Sequence, residues 1–284
     1  MHVAVLFQEV IAALAPRDGG HYIDGTIGAG GHAAGILEAS APTGRLLGLD
    51  ADPSALAIAA QNLARFGTRA VLVHSNYDRL REIAAANSFV PADGIVLDLG
   101  LSSIQLADVQ RGFSFTSEGA LDMRMNPLEP TTAADLVNTL DEKSLADILF
   151  KFGEERASRR IARAIVSARP IHTAGQLAHV IERAMGRRGR LHPATRTFQA
   201  LRIAVNRELE RLEKVLPQIV EVLAPGGRIA IIAFHSLEDR IVKNFFRSSD
   251  QLRVLTKHPI RPTDAEIENN PRSRSAKLRI AEKV

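Results

Sequence analysis

Short apolar runs alternate with helical patterns in the amino-terminal third of the chain. The runs that predict strands are Tyr22-Ile23, Arg45–Leu49, Ala70–His74 and Ala92–Asp98. Their apolar positions are consecutive rather than alternating, which indicates strands covered on both faces. Strands that alternate with helices along a chain predict an α/β fold built on a parallel sheet.

The segments between these runs have apolar residues at helical spacing. Helices are predicted over Val3–Leu14, His32–Glu38 and Ala55–Phe66. Asp52 and Pro53 precede the third helix and are typical of an N-cap and a first helical position.

This alternation stops after Asp98. Residues 105–132 are predicted to form a loop, and five helices are expected after it, at Thr132–Thr139, Ser144–Phe152, Glu154–Ser167, Thr173–Met185 and Pro193–Leu216. A Pro225-Gly226-Gly227 turn then leads into a fifth apolar strand. The last two strands are predicted at Leu252–Lys257 and Lys277–Ala281. We interpret residues 110–205 as a helical insertion within a sheet domain formed by residues 1–109 and 206–284.

The composition is that of a globular protein without cysteine chemistry. The 284 residues include no Cys, which excludes disulfides, a thiolate nucleophile and a cysteine-ligated metal. No apolar run is long enough to span a membrane. The amino-terminal segment lacks a basic leading region and contains Glu9, so it is a poor signal peptide and a cytoplasmic location is expected.

Positive charge is concentrated in one segment. Residues 151–215 contain fifteen Lys or Arg, six Glu and no Asp, a net charge of +9 against +4 for the whole chain. This distribution indicates a surface for a polyanion, with a solvated helix face as the alternative. Twelve of the first thirteen basic residues are Arg, whose guanidinium group binds phosphate in a forked geometry, which favours nucleic acid.

A glycine-rich loop follows the first predicted strand. The sequence Asp24-Gly25-Thr26-Ile27-Gly28-Ala29-Gly30-Gly31 lies between a strand and a helix. Glycines there let the backbone approach a ligand closely, and Asp50, after the second strand, can accept hydrogen bonds from ribose hydroxyls. The unit therefore predicts a nucleotide-type site. A glycine loop alone is compatible with NAD, FAD, S-adenosylmethionine or no ligand.

Three features favour S-adenosylmethionine. Asp24 directly precedes the glycines, where it would repel a pyrophosphate and attract the ammonium group of a methionine moiety. The sequence Leu223–Gly227 before the last buried strand is typical of methyltransferases that use this cofactor, and so is a closing pair of strands. The alternatives are an NAD-dependent oxidoreductase and an RNA-binding assembly factor that has lost catalysis.

Longer motifs carry a resemblance that is collinear over nearly the whole chain. They are Asp24–Thr26, Gly30–His32, Asp98–Ser103 followed by Gln105, Arg111–Phe115, Leu121–Met125, Gly153–Arg156, His192–Ala200 and Phe234–Arg240. In these motifs the chain resembles the bacterial 16S ribosomal RNA cytosine-N4 methyltransferase family (RsmH, also named MraW). It departs from that family at Ile104, where Pro is frequent, and around Ala107, where acids are frequent. Its loop between the last two strands is shorter than in some members.

The resemblance implies a Rossmann-like class I S-adenosylmethionine-dependent methyltransferase with an inserted all-α domain. The implied reaction methylates the N4 amine of a cytidine, at position 1402 in the decoding region of 16S ribosomal RNA, within the small subunit. The implied cofactor-binding residues, with Asp24 and Gly28 added from the loop itself, are Gly30, Gly31 and His32 at the methionine end, Asp50 at the ribose, Tyr77 at the adenine, and Asp98 and Gln105 near the methyl-transfer mouth.

The chemistry calls for a hydrogen-bond acceptor rather than a metal. A sulfonium methyl group is already activated, whereas the lone pair of the cytosine amine is delocalised into the ring. A group that accepts an amine hydrogen would localise this lone pair. Besides backbone carbonyls, the candidates in the loop after the fourth strand are the Asp98 carboxylate and the hydroxyls of Ser102 and Ser103.

Two alternatives qualify this chemistry. His235 is a further catalytic candidate, but it also fits a polar helix start in which Ser236 is the N-cap and Asp239 supports it. A DNA amine methyltransferase is the closest chemical alternative, and the absence of Pro-Pro after Asp98 argues against it.

The target cytosine must be unstacked before its amine can react. Aromatic side chains such as Phe113, Phe115 and Phe198 are able to stack on it, with core packing as the alternative role. The residues predicted to contact RNA are Arg111, Phe113, Arg187, Arg188, Arg190 and Arg196.

Overall fold

The computed structural model describes residues 4–116, 118–186 and 192–284. The chain forms two compact units, one made of Met1–Ser102 and Leu209–Val284 and the other of Ser103–Glu208. The sequence prediction placed its boundaries after residues 109 and 205. The first unit contains the sheet and the second consists of helices and loops, so the predicted α/β class is confirmed.

One sheet of seven strands forms the centre of the first unit. In chain order the strands are β1 (His21–Asp24), β2 (Arg45–Asp50), β3 (Ala70–His74), β4 (Ala92–Asp98), β5 (Leu223–Ala233), β6 (Leu252–Val254) and β7 (Lys277–Lys283). Their spatial order is β3-β2-β1-β4-β5-β7-β6. Strands β1–β5 are parallel, and β7 is antiparallel to both of its neighbours. The strand order reverses between β1 and β4, and a ligand crevice is expected outside the carboxyl ends of these strands.

In chain order the helices of the described residues are α1 (Phe7–Leu14), α2 (Gly31–Ala39), α3 (Pro53–Leu63), α4 (Leu80–Ala86), α5 (Ser103–Ala107), α6 (Ala133–Thr139), α7 (Glu142–Gly153), α8 (Ser158–Ser167), α9 (Ala174–Met185), α10 (Thr195–Asn206), α11 (Glu208–Val222), α12 (Ser236–Ser248) and α13 (Asp264–Asn269). Helices α5–α10 belong to the helical unit.

Helices of the first unit cover both faces of the sheet. Leu47 and Ile95 pack on one face with side chains of α4 and α11, whereas Leu46 and Val96 pack on the other face with side chains of α1 and α2. The consecutive apolar positions of β2 and β4 therefore fill two cores, as the pattern predicted.

Strand β5 begins earlier than the sequence predicted. The Pro225-Gly226-Gly227 segment lies within β5 rather than before it, and the pairing with β4 shifts over this segment. Gly226 has a φ of 76°, a left-handed value that glycine adopts at little cost. The predicted turn is therefore a bulge in a continuous strand.

Two predicted helices are divided or shortened by a residue in the left-handed conformation. The helix predicted over 154–167 begins at Ser158, because Glu154 (φ 50°) ends α7. The helix predicted over 193–216 is divided into α10 and α11, because Arg207 (φ 51°) ends α10. The break at Glu154 coincides with the predicted boundary between two helices, although the second helix starts four residues later than predicted. The break at Arg207 was not predicted, because non-glycine residues rarely adopt this conformation and it has no sequence signal. No helix within the described ranges is both long and apolar enough to cross a bilayer.

Candidate active site

Three aspartates lie at the carboxyl edge of the sheet. Asp24, Asp50 and Asp98 are the last residues of β1, β2 and β4. Asp24 pairs with Gly48 of β2 on one side and with Val96 of β4 on the other. Asp50 and Asp98 each lie two residues further along their strands, beyond the end of β1. The strands thereby bring all three carboxyl groups to the crevice that the strand order creates.

The glycine loop has a backbone that only glycine accommodates at two positions. Gly28 and Gly30 have φ values of 51° and 84°. A Cβ atom on Gly30 would lie 3.2 Å from the Leu63 side chain, and one on Gly31 would lie 3.0 Å from the Ala4 side chain. The loop therefore packs tightly between α3 and the amino-terminal segment, and this packing fixes its position over the three aspartates.

Asp50 is held by two backbone amides. Its Oδ2 accepts from the Gly28 N–H at 2.9 Å, and its Oδ1 accepts from the Asp52 N–H at 2.9 Å. Burial raises the pKa of Asp50 to about 6, and these hydrogen bonds act in the opposite direction. Because each carboxylate oxygen has a second lone-pair site, Asp50 can still accept hydrogen bonds from a ligand's hydroxyl groups.

Asp24 lies at the base of the crevice and is only 1% exposed. Its Oδ1 accepts from the Thr26 N–H at 3.1 Å. Burial raises the pKa of Asp24 to about 7, the Thr26 amide lowers it, and the charge of Asp50 raises it further. A buried carboxyl with so few donors around it is more readily ionised when a cation lies beside it.

One carboxyl oxygen of Asp98 has no hydrogen-bond partner in the part of the chain that the structure describes. Its backbone N–H donates to Thr26 Oγ1 at 2.6 Å. Although the side chain is 26% exposed, Oδ1 is buried and accepts no hydrogen bond from the described residues. Such an atom normally has a partner, so it is a candidate for contact with a substrate.

His32 lies beside the other oxygen of this carboxyl. Its Nδ1 is 4.0 Å from Asp98 Oδ2, and its Nε2 is 2.9 Å from the Val5 carbonyl oxygen. A carbonyl can only accept, so Nε2 carries a proton. In the neutral imidazole the Nδ1 lone pair therefore faces Asp98.

The charges around Asp98 are mostly negative. Burial and then the charge of Asp24 raise the pKa of Asp98 to about 8, and Glu238 acts in the same direction. Arg272 lowers this pKa. Ionising Asp24 and Asp98 together is therefore costly unless a cation enters the crevice.

This donor set fits the predicted cofactor. S-adenosylmethionine carries a sulfonium and an ammonium group, and both favour the ionised form of neighbouring carboxyls. The pyrophosphate of a dinucleotide would have the opposite effect. The raised pKa values of Asp24 and Asp98 therefore argue against the NAD alternative.

Ser102 and Tyr77 lie beside the glycine loop, as their positions after β4 and β3 predicted. A Cβ atom on Gly28 would lie 4.0 Å from Ser102 Cβ, and one on Gly25 would lie 3.4 Å from Tyr77 Cβ. Tyr77 begins a short 3₁₀ turn after β3, and its half-buried ring packs against the core.

His235 is the N-cap of α12. The Glu238 N–H donates to His235 Nδ1 at 3.4 Å, and Glu238 Oε2 accepts from the N–H groups of His235 at 3.3 Å and Phe234 at 2.8 Å. The alternative with Ser236 as cap and Asp239 in support is therefore wrong, because the reciprocal pair lies one residue earlier. A catalytic role for His235 stays a prediction.

Some predicted residues belong to the helical unit. Ser103 begins α5 and Gln105 is buried in it, so this helix extends into the start of the segment 105–132, which was predicted to be a loop. The Arg111 guanidinium donates to the carbonyl oxygens of Arg124 and Met125, the latter at 2.8 Å. Arg111 therefore anchors a loop of its own unit.

The other predicted RNA contacts differ in exposure. Phe113 is buried, with the Arg111 guanidinium carbon 5.3 Å from its ring centre. Arg196 is exposed on α10 and donates to the Glu154 carbonyl at 3.4 Å. The three remaining predicted contacts lie outside the described residues: Arg187, Arg188 and Arg190. RNA contact by these six residues stays a prediction.

Sequence reasoning missed three residues around Asp98: Thr26 at its backbone N–H, and Glu238 and Arg272 near its carboxyl group. Thr26 and Glu238 both lie in motifs that carried the resemblance, so the signal was present but no role was assigned. Arg272 lies 174 positions after Asp98, in a polar loop without helical or strand spacing. Only the three-dimensional structure brings it to the site.

The whole chain, residues 1–284, matches the family model described as the MraW methylase family. Three curated relatives are each named ribosomal RNA small subunit methyltransferase H. The protein from Trichormus variabilis is 55% identical over 99% of this chain and 92% of its own length. The Thermomicrobium roseum protein is 50% identical over 100% and 94%, and the Dehalococcoides mccartyi protein 49% over 100% and 86%.

Solved structures agree on the fold. The crystal structure of a candidate rRNA methylase from Clostridium thermocellum covers 100% of both chains with a TM-score of 0.52 at 14% identity, which is a likeness of fold alone. The sequence relatives and the whole-chain match go further and confirm the predicted family. The chain therefore belongs to the MraW methylase family, and its methyl donor is S-adenosylmethionine.

Proposed function

We propose that this chain methylates the N4 amine of a cytidine in small-subunit ribosomal RNA, at position 1402 of 16S RNA. The observation that carries this proposal is the Asp98 carboxyl, which ends β4 beside the glycine loop and whose buried Oδ1 has no partner among the residues described. The names of the curated relatives support the RNA class.

The position of each side chain supports the proposed donor-binding roles. Asp24, at the base of the crevice, is suited to the ammonium group of the methionine moiety, and Asp50 to the ribose hydroxyls. Gly28, Gly30 and the adjoining Gly31 provide a backbone wall, and Tyr77 lies on the side of β3, where the adenine is expected. For these six residues the proposed roles are those of the sequence-based assignment, and cofactor contact by His32 and Gln105 stays a prediction.

Asp98 is the proposed acceptor for the amine. When bound, S-adenosylmethionine supplies an activated methyl group and a nearby positive charge. The carboxylate form of Asp98 accepts one amine hydrogen at Oδ1, which localises the nitrogen lone pair and gives the departing proton a base. Ser102 is the candidate acceptor for the second amine hydrogen, because it lies in the same loop beside Gly28.

The helical unit is proposed to bind the phosphate backbone. Arg196 is exposed on α10, and the net charge of +9 over residues 151–215 suits a polyanion. Binding that depends on such contacts weakens steeply with salt because it releases counterions.

Transfer of labelled methyl groups to small subunits from cells that lack this modification tests the proposal. Asp98→Asn should reduce turnover by about a hundredfold or more, because an amide cannot take the amine proton. Asp93→Asn, at the opposite end of the same strand, is the matched control and should keep wild-type turnover. Labelling of DNA but not of subunits, or wild-type turnover in Asp98→Asn, would contradict the proposal.

A further inference from the structure

Arg272 reaches the loop that follows β4. It lies in a 3₁₀ turn, Pro271–Ser275, that precedes β7. Its guanidinium Nη2 donates to the Leu101 carbonyl oxygen at 2.8 Å across 171 positions of sequence. Leu101 belongs to the five-residue segment 98–102, whose first and last residues, Asp98 and Ser102, are two of the proposed acceptors. The bond therefore fixes the backbone on which both acceptors sit.

The same guanidinium group is the cation that opposes the acids at this site. The groups that face Asp98 come from four elements: Asp24 of β1, His32 of α2, Glu238 of α12, and Arg272 itself. Arg272 is half-buried, and burial lowers its own pKa while Asp98 acts in the opposite direction. A half-buried guanidinium group beside a carboxyl interacts with it more strongly than a solvated one does.

The neighbouring Arg274 provides an internal comparison. It lies in the same 3₁₀ turn, two residues later, but its side chain is exposed. No contact of Arg274 with Asp98 or with the loop 98–102 is found among the described residues. Between them, Ser273 is fully buried, and its carbonyl oxygen accepts from the Ala276 N–H at 2.7 Å within the turn. Of the two arginines, the turn directs Arg272 to the site.

We propose that Arg272 is a positioning residue for methyl transfer: it fixes the loop 98–102 through the Leu101 carbonyl and favours the ionised Asp98 carboxyl that accepts the amine hydrogen. The planar guanidinium suits both tasks, because it carries five N–H donors on a rigid fork and one bond to a carbonyl leaves the others available. This inference rests on the proposed function and adds a residue to it.

The test compares Arg272→Met, Arg272→Lys and the control Arg274→Met in methyl transfer to small subunits. Arg272→Met removes both the charge and the bond, and kcat at pH 7 should fall by roughly tenfold to a hundredfold. Without the cation, the acidic limb of the pH–rate profile should move to higher pH by about one unit. Arg272→Lys keeps the positive charge without the forked geometry. Its acidic limb should therefore lie at the wild-type pH, whereas its kcat should lie between those of Arg272→Met and the wild type. Arg274→Met should match the wild type in both.

The pH limb separates a positioning role from a merely structural one. If Arg272→Met lowers kcat but leaves the limb in place, or if it behaves like Arg274→Met, the inference is overturned. Thermal unfolding of each variant shows whether it is folded. If Arg272→Met does not fold, Arg272→Lys is compared with the wild type instead, and an unchanged kcat in Arg272→Lys would overturn the inference. If the wild type itself fails to methylate subunits, the proposed function fails instead, so the two failures are distinguishable.

Discussion

The affinity for S-adenosylmethionine should rise with pH between 6.0 and 7.5. Asp24 and Asp98 have pKa values of about 7 and about 8 without ligand, so both are mostly protonated at pH 6.0. A cationic ligand favours their carboxylate forms, so binding releases protons. Within this range, affinity is therefore lost as the pH falls through the two pKa values.

The expected change is large. Relative to the fully ionised pair, protonation of two groups with these pKa values weakens binding by roughly a thousandfold at pH 6.0 and by about fivefold at pH 7.5. The difference between the two pH values is about two orders of magnitude in affinity, or ~3 kcal/mol. The two carboxyls repel each other, so the protons belong to the pair rather than to either residue. Asp24→Asn leaves one titrating group and should reduce the slope of log affinity against pH by roughly 40% over this range.

Isothermal titration calorimetry in two buffers of different ionisation enthalpy counts the released protons. The wild type should release between one and two protons near pH 6.5, and Asp24→Asn about one fewer. S-adenosylhomocysteine, which lacks the sulfonium charge, should release fewer than S-adenosylmethionine. Equal proton release by the two ligands, or an affinity that does not change with pH, would refute the reasoning.

Three further predictions concern stability and RNA binding. The pKa of Asp98 is raised from 3.8 to about 8, so the folded state retains a proton that the unfolded chain loses, and stability falls as the pH rises towards 8. Asp98→Asn should therefore stabilise the ligand-free protein by about 1–3 kcal/mol at pH 8. Thermal unfolding should show a smaller gain at pH 5. Gly30→Ala adds a Cβ atom 3.2 Å from Leu63 and should lower both urea stability and donor affinity, whereas Gly67→Ala, also at positive φ but in open space, should incur only the backbone cost. Arg196→Ala should reduce the slope of log RNA affinity against log salt by about one and leave donor affinity unchanged.

The part of the site that the sequence predicts depends on chain-local features. Strand ends locate Asp24, Asp50 and Asp98, because the carboxyl ends of parallel strands share one edge. The glycine loop is recognisable in the sequence because a tight backbone requires several glycines close together. Gly28 and Gly30 do adopt positive φ. These features depend on residues that are close together in the sequence, so they can be predicted from the sequence alone.

The part that the sequence does not predict depends on distant or unmarked residues. Arg207 adopts the left-handed conformation without being glycine, so the helix break that it causes leaves no trace in the periodicity. Arg272 meets Leu101 across 171 positions, and its neighbour Arg274 has the same chemistry without the contact. Residue type alone cannot distinguish two arginines of one loop, because burial and distance decide which of them acts.

The most direct test of the central claim is the identity of the product nucleoside. Small subunits lacking the modification would be incubated with the enzyme and labelled S-adenosylmethionine, and their RNA digested and analysed by chromatography and mass spectrometry. An Asp98 carboxylate that accepts an exocyclic amine hydrogen predicts label in N4-methylcytidine at a single position. Label in the isomeric C5-methylcytidine, or in a ribose methyl group, would contradict the account.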